Sequence, residues 1–173
     1  MKIFRVSLFA AALHVTGACA ESDFVRVDAK LPDSMGAAIT QGSEMLPAQI
    51  HWVPGGALSW SGGYIATVVF EASSPNCAIF TYSNNALSTV FAGVPCMFKG
   101  PPTLKFGRNI KVPDIVYAVQ LSNQGVMVDE GVALYFDAEK NTFCESRNLS
   151  DWYRFGNKKR LPSVDDGHCS GFY

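Results

Sequence analysis

The sequence predicts a mainly β domain: a single antiparallel β-sandwich or small partly open β-barrel with one or two short helices. Three observations carry this expectation. From Gln49 onward the chain is a series of short runs rich in β-branched and aromatic residues, separated by clusters of Gly, Pro, Asn and Ser. The connections are short, whereas parallel strands would need crossovers of a dozen residues or more. Hydrophobic residues make up 48% and charged residues only 17% of the 173 residues, too apolar a mixture for a disordered chain.

The elements follow in order. Phe24, Val25 and Val27 suit a short first strand. Asp33 or Ser34 can cap a brief helix carrying Met35, Ala38, Ile39, Met45 and Leu46. Gly36 and Gly42 weaken that helix, each by about 1 kcal/mol relative to Ala. Ile50–Val53 and Leu58–Trp60 are strands closed by Pro54-Gly55-Gly56 and Ser61-Gly62-Gly63. Tyr64–Glu71 carries Tyr64, Ala66, Val68 and Phe70 on one face and Ile65, Thr67, Val69 and Glu71 on the other, so much of this strand should be covered on both sides. Ala78–Tyr82 turns through Ser83-Asn84-Asn85 into Leu87–Phe91. Phe98–Pro113 reads as an exposed connection whose cations are solvated, with at most a short strand at Thr103–Phe106. Ile115–Ser122 alternates cleanly and turns at Asn123-Gln124-Gly125 into Val126–Val128. Asp129-Glu130-Gly131 separates that run from Val132–Asp137, and Ala138–Asn141 leads into Thr142–Glu145. A last helix starts at Ser150 as cap and stops at Gly156. No repeat of fixed period supports a propeller.

Residues 1–20 read as a signal peptide: Lys2 and Arg5, the apolar run Val6–Val15, and the small ending Ala18-Cys19-Ala20. The apolar run is too short to span a bilayer as a helix. Lipidation at Cys19 ranks second, because the leucine usual three positions upstream is missing. Residues 21–173 then form a single disulfide-stabilised β domain. The leader removes Lys2 and Arg5, so 12 basic residues face 15 acidic ones, giving a net charge of −3. That balance argues against nucleic acid as a partner. Cys19 leaves with the leader, so the cysteine count becomes even: Cys77, Cys96, Cys144 and Cys169. In an exported chain these read as two disulfides. Of three possible pairings, Cys77–Cys96 and Cys144–Cys169 are preferred because each closes a local loop. None of the spacings is that of a structural zinc site.

Chemistry-bearing residues are few. Beyond the leader only His51 and His168 remain. His51 reads as a core or edge histidine. His168 lies in Asp165-Asp166-Gly167-His168-Cys169, a run with metal donors for which a loop role is preferred. Asp129 and Glu130 are adjacent on a strand and therefore point to opposite faces. Asp137-x-Glu139-x-Asn141 resembles part of a calcium loop but suits a turn better. Asn148-Leu149-Ser150 is a glycosylation sequon by letter, with helix capping by Ser150 as the simpler use. There is no Gly-x-Ser-x-Gly elbow and no phosphate-cradling loop. No cofactor and no metal are expected.

The favoured candidate contact surface is Arg147, Trp152, Tyr153, Arg154, Phe155, Lys158, Lys159 and Arg160, combining the aromatic and arginine residues enriched at interface hot spots. The competing structural role is that Trp152 and Phe155, three apart on a helix, cap one end of the core. In type, though through no motif, the chain is similar to periplasmic inhibitors and immunity proteins. The expectation is an exported, periplasmic or secreted non-catalytic binding protein with a protein partner, an acidic one being favoured by the cations of that segment. The alternative is a small hydrolase using carboxylates with His51 or His168. An eight-stranded outer-membrane barrel is the third reading, set aside because most runs fall short of the roughly 9 to 11 residues that spanning strands need.

Overall fold

The computed structural model describes residues 24–43, 45–93, 95–156 and 160–169. The expected leader lies outside them. Two antiparallel sheets pack face to face, and a helix covers the outer surface of each, giving an α–β–β–α stack with no closed barrel.

The first sheet contains β1 (Arg26–Val27), β2 (Ile50–Trp52), β3 (Leu58–Trp60), β4 (Gly63–Phe70), β5 (Asn76–Ser83) and β6 (Ala86–Gly93). Its order is β1-β3-β4-β5-β6, and β2 joins the same edge of β4 beyond β3. The second sheet contains β7 (Cys96–Phe98), β8 (Thr103–Lys105), β9 (Asp114–Asn123), β10 (Val126–Asp137) and β11 (Thr142–Glu145). It runs β11-β10-β9-β7, with β8 beside β7 on the edge of β9. Helix α1 spans Asp33–Ser43 and α2 spans Arg147–Phe155.

The hairpins form where turn residues permit them. Asn84 and Asn85 both adopt positive φ (51° and 60°) between β5 and β6, as do Gln124 and Gly125 (52° and 83°) between β9 and β10. Two consecutive left-handed residues match the twist of the flanking strands. At the third hairpin Asp137 Oδ1 accepts from the Glu139 and Lys140 amides, so the Asp137–Asn141 pattern is a turn.

The inner faces alternate as the period-two pattern requires. Leu58, Ile65 and Ile79 from one sheet meet Ile115, Tyr117, Leu134 and Phe143 from the other, all fully buried. Tyr117 brings a hydroxyl into this interior and meets the Thr67 hydroxyl there, which in turn donates to the Gly56 carbonyl. Both faces of β4 are covered: Ile65 faces the second sheet, while Ala66, Val68 and Phe70 lie under Met35 and Ile39 of α1. Met35 and Ile39 are four apart and so share one side of the helix.

Three expectations need correction. Helix α1 ends at Ser43, which leaves Met45 and Leu46 beyond it. Val126–Asp137 is one strand of 12 residues, without the break expected at Asp129-Glu130-Gly131. Those three residues pair in register with Gln120, Val119 and Ala118, and a continuous partner strand outweighs one glycine. The last helix is capped by Ser146 and not by Ser150: the Ser146 hydroxyl accepts from the Leu149 amide. Ser150 lies within α2, buried. Its hydroxyl accepts from the Ala133 amide and donates to the Ser146 carbonyl. With the Ser146 amide bonded to the Ala133 carbonyl, the first turn of α2 satisfies β10 just where β11 ends. Gly156, in the left-handed region at φ 61°, stops the helix as expected.

Both disulfides form with the preferred pairing. Cys77–Cys96 joins β5 to β7 and thus one sheet to the other. Cys144–Cys169 ties the C-terminal segment to β11. No helix among the described residues is long and apolar enough to cross a membrane.

Candidate functional site

Helix α2 is held from three sides. Leu149 and Tyr153, four apart, pack on Ala133, Tyr135 and Cys144 of the second sheet. At the N-terminus the Asp166 carboxylate accepts from the Ser146 hydroxyl at 2.7 Å and from the Asn148 amide at 2.8 Å. Partial burial acts to raise the pKa of Asp166, but these hydrogen bonds outweigh it and leave the group below the usual carboxylate value. At the other end the Tyr153 hydroxyl donates to Asp114 at 2.8 Å, and Arg154 forms an ion pair with Glu130.

This anchoring distributes the candidate contact residues. Trp152 and Tyr153 meet edge-on at 4.9 Å, and the Arg154 guanidinium lies 4.8 Å from the Phe155 ring centre. Tyr153 is the aromatic that packs into the fold, whereas Phe155 is 68% exposed and caps nothing. The structural role foreseen for the pair Trp152 and Phe155 therefore fails at Phe155. Trp152 is partly covered, its indole N–H enclosed without a partner among the described residues. Arg147 is exposed at the far end of the helix from Phe155, and Arg160 is exposed beyond it. Lys158 and Lys159 lie outside the described residues. The structure thus brings Trp152 to Phe155 together with Glu130, and leaves Arg147 apart.

The residues named for the hydrolase reading do not converge. His51 on β2 pairs with Glu71 at 3.0 Å, both exposed on the first sheet. His168 forms a backbone bridge with Glu145 of the second sheet. His168 also lines an open cleft of about 400 Å³ with Ser83, Ser88 and Lys140, and the described lining includes no carboxylate. Asp129 bonds Lys99 and Gln120 while Glu130 bonds Arg154, so these neighbours serve separate sites. Asp137 lies close to the sulfurs of Cys144 and Cys169, but their disulfide leaves no thiolate to bind a metal. A further cleft of about 340 Å³ opens between α1 and the outer face of the first sheet. It is lined mainly by Ile39, Met45, Phe70, Phe80 and Leu87, without an acid–base pair among the described residues.

One titratable group was missed in the sequence. Asp114 opens β9, is 3% exposed, and is held by Tyr153 with Arg108 nearby. Burial raises its pKa against the opposing hydrogen bond and the Arg108 charge. Burial and the bonded carboxylate likewise push the Tyr153 hydroxyl up. Only the pairing of residues 39 apart creates this environment, so no local pattern signals it.

A pH effect follows. A carboxyl with a raised native pKa binds more protons folded than unfolded between its two values. Its contribution to stability therefore falls as pH rises from 3.8 through the native value, and then levels. Asp114→Asn removes this titration and keeps an acceptor for Tyr153. Urea midpoints compared at about pH 4 and pH 7 should decline less, or rise more, in the variant than in the wild type. Parallel profiles would show that Asp114 carries no such linkage.

Comparison with known proteins finds no matching family model, no matching curated protein and no matching solved structure.

Proposed function

We propose that this protein is a non-catalytic binding protein that engages a protein partner through the C-terminal end of α2 and the residues after it, in the periplasm or outside the cell. The observation that carries the reading is Phe155: a bulky aromatic, 68% exposed, beside Arg154 on a helix whose opposite side is anchored in the second sheet. A rigidly presented aromatic with an adjacent arginine loses little conformational freedom on docking, and these residue types dominate interface hot spots. Arg160 adds positive charge close by in sequence, which favours an acidic partner. Two disulfides suit an oxidising compartment.

The test begins with capture by the oxidised protein from its native extract and identification of the bound protein. The affinity of Phe155→Ser is then measured. An exposed side chain contributes little to folding, so stability should stay within about 0.5 kcal/mol. Affinity should drop by roughly tenfold or more, the loss expected for a hot-spot aromatic. Unchanged affinity in the variant would remove this end of α2 from the interface.

A further inference from the structure

Beside α2 stands a second surface, which shares only Arg160 with the partner reading. Residues 99–113 contain Lys99, Lys105, Arg108 and Lys111 and not one acid, in a chain of net charge −1. Lys99 is paired with Asp129. The other three are exposed and form no ion pair with a described residue. The chain from 106 to 113 is a built turn. Its base is fixed by Asp114 under the Tyr153 hydroxyl, and Gly107 lies against Tyr153 and Leu161. Arg108 lies over the Tyr135 ring, 5.5 Å from its centre. The Asn109 carboxamide oxygen accepts from the amides of Lys111 and Val112, and this closes the tip. Held in that turn, Ile110 is 87% exposed, and Phe106 is also exposed. The Leu161 side chain lies on the Gly107 side of this loop, and the exposed Arg160 immediately precedes it in sequence.

We propose that this loop docks on an anionic lipid bilayer, with Ile110 and Phe106 entering the interface and Lys105, Arg108, Lys111 and Arg160 facing the headgroups. An aliphatic tip between cations is what a bilayer boundary accepts: the apolar groups enter the acyl edge while the charges stay at headgroup level. A protein interface would favour an aromatic or arginine seated in a complementary pocket, and Ile110 projects without such a setting. Charge supports the same occupant. The loop has no carboxylate to repel anionic headgroups, while the net negative remainder of the chain turns other faces away. Each cation near such a surface is worth roughly fivefold in partitioning.

The test uses the oxidised protein, its intact mass showing no acyl chain, in co-sedimentation with vesicles. One set is phosphatidylcholine alone, and the other is an equal mixture of phosphatidylcholine and phosphatidylglycerol. Binding should appear with the anionic vesicles and weaken as salt is added. Ile110→Asp should lower partitioning roughly tenfold. Lys105→Glu with Lys111→Glu should lower it by about 25-fold or more. Lys30→Glu, an exposed reversal ahead of α1, should leave it unchanged. Far-UV spectra and thermal midpoints confirm that the variants fold, since every changed side chain is exposed. No binding to anionic vesicles, equal binding to both sets, or an Ile110→Asp variant that binds like wild type would overturn the proposal. Binding of poly-glutamate with the same sensitivity to Ile110→Asp would also overturn it, and would give the loop to an acidic protein. The vesicles contain no protein, so either result leaves the partner reading of α2 to its own test.

Discussion

Phe143→Ala should lower the unfolding free energy by about 3–5 kcal/mol. Phe143 is fully buried on β11, in the second sheet. Its ring meets Trp60 of β3, in the first sheet, edge-on at 5.4 Å, and also contacts Phe136 and Phe24. Truncation removes the transfer free energy of the ring and leaves a void walled by aromatics from both sheets. Stiff rings seated in two separately hydrogen-bonded sheets collapse poorly onto such a void, which places the cost toward the upper part of the range. Urea denaturation at constant m-value measures it. A loss below about 1 kcal/mol would mean that the sandwich interior relaxes freely, contrary to the packing described.

Loss of either disulfide should cost about 3 kcal/mol, through the loop-closure entropy returned to the unfolded chain. The bridges close loops of 19 and 25 residues, so their entropic contributions differ by only about 0.2 kcal/mol. Their structural consequences differ far more. Cys77–Cys96 clamps the two sheets to each other where β6 passes to β7. Cys144–Cys169 holds the segment that delivers Asp166 to the N-terminus of α2. Cys144→Ala with Cys169→Ala should therefore release the C-terminal segment to proteolysis under native conditions. Cys77→Ala with Cys96→Ala should lower the global urea midpoint without selective cleavage there. Matching proteolytic patterns for the two double variants would refute this division of labour.

Much of the fold was legible because it rests on local rules. Asn84-Asn85 and Gln124-Gly125 are turns since few other pairs tolerate two consecutive positive φ angles. Ile115 to Leu121 declares its inner face by alternation, and the apolar character of both sides of β4 announces two coverings. The disulfide pairing followed from the economy of closing short loops. The helix cap lies four residues before Ser150, the residue the local pattern favours. Ser146 and Ser150 both have a capping side chain, and the choice fell to Asp166, 20 residues away, which bonds the Ser146 hydroxyl. The run through Gly131 stayed extended because β9 supplied partners throughout, a fact absent from the run itself.

The candidate surfaces divide in the same way. Composition marked the aromatic and cationic residues of α2, but burial chose among them: Tyr153 went inward and Phe155 outward, because Leu149 and Tyr153 share the side that faces Ala133 and Tyr135. The basic loop read as solvated in isolation, and its presentation depends on Asp114 meeting Tyr153 from 39 residues away. Local pattern therefore settled strand faces, turns and the covalent links, since these depend on dihedral preference, side-chain period and chain proximity. Tertiary contact decided which sheet each strand joined, where α2 began, which carboxyl was buried and which exposed groups became neighbours. Those outcomes depend on desolvation and hydrogen bonding between segments far apart in the chain, and such energies exist only once the sheets have packed.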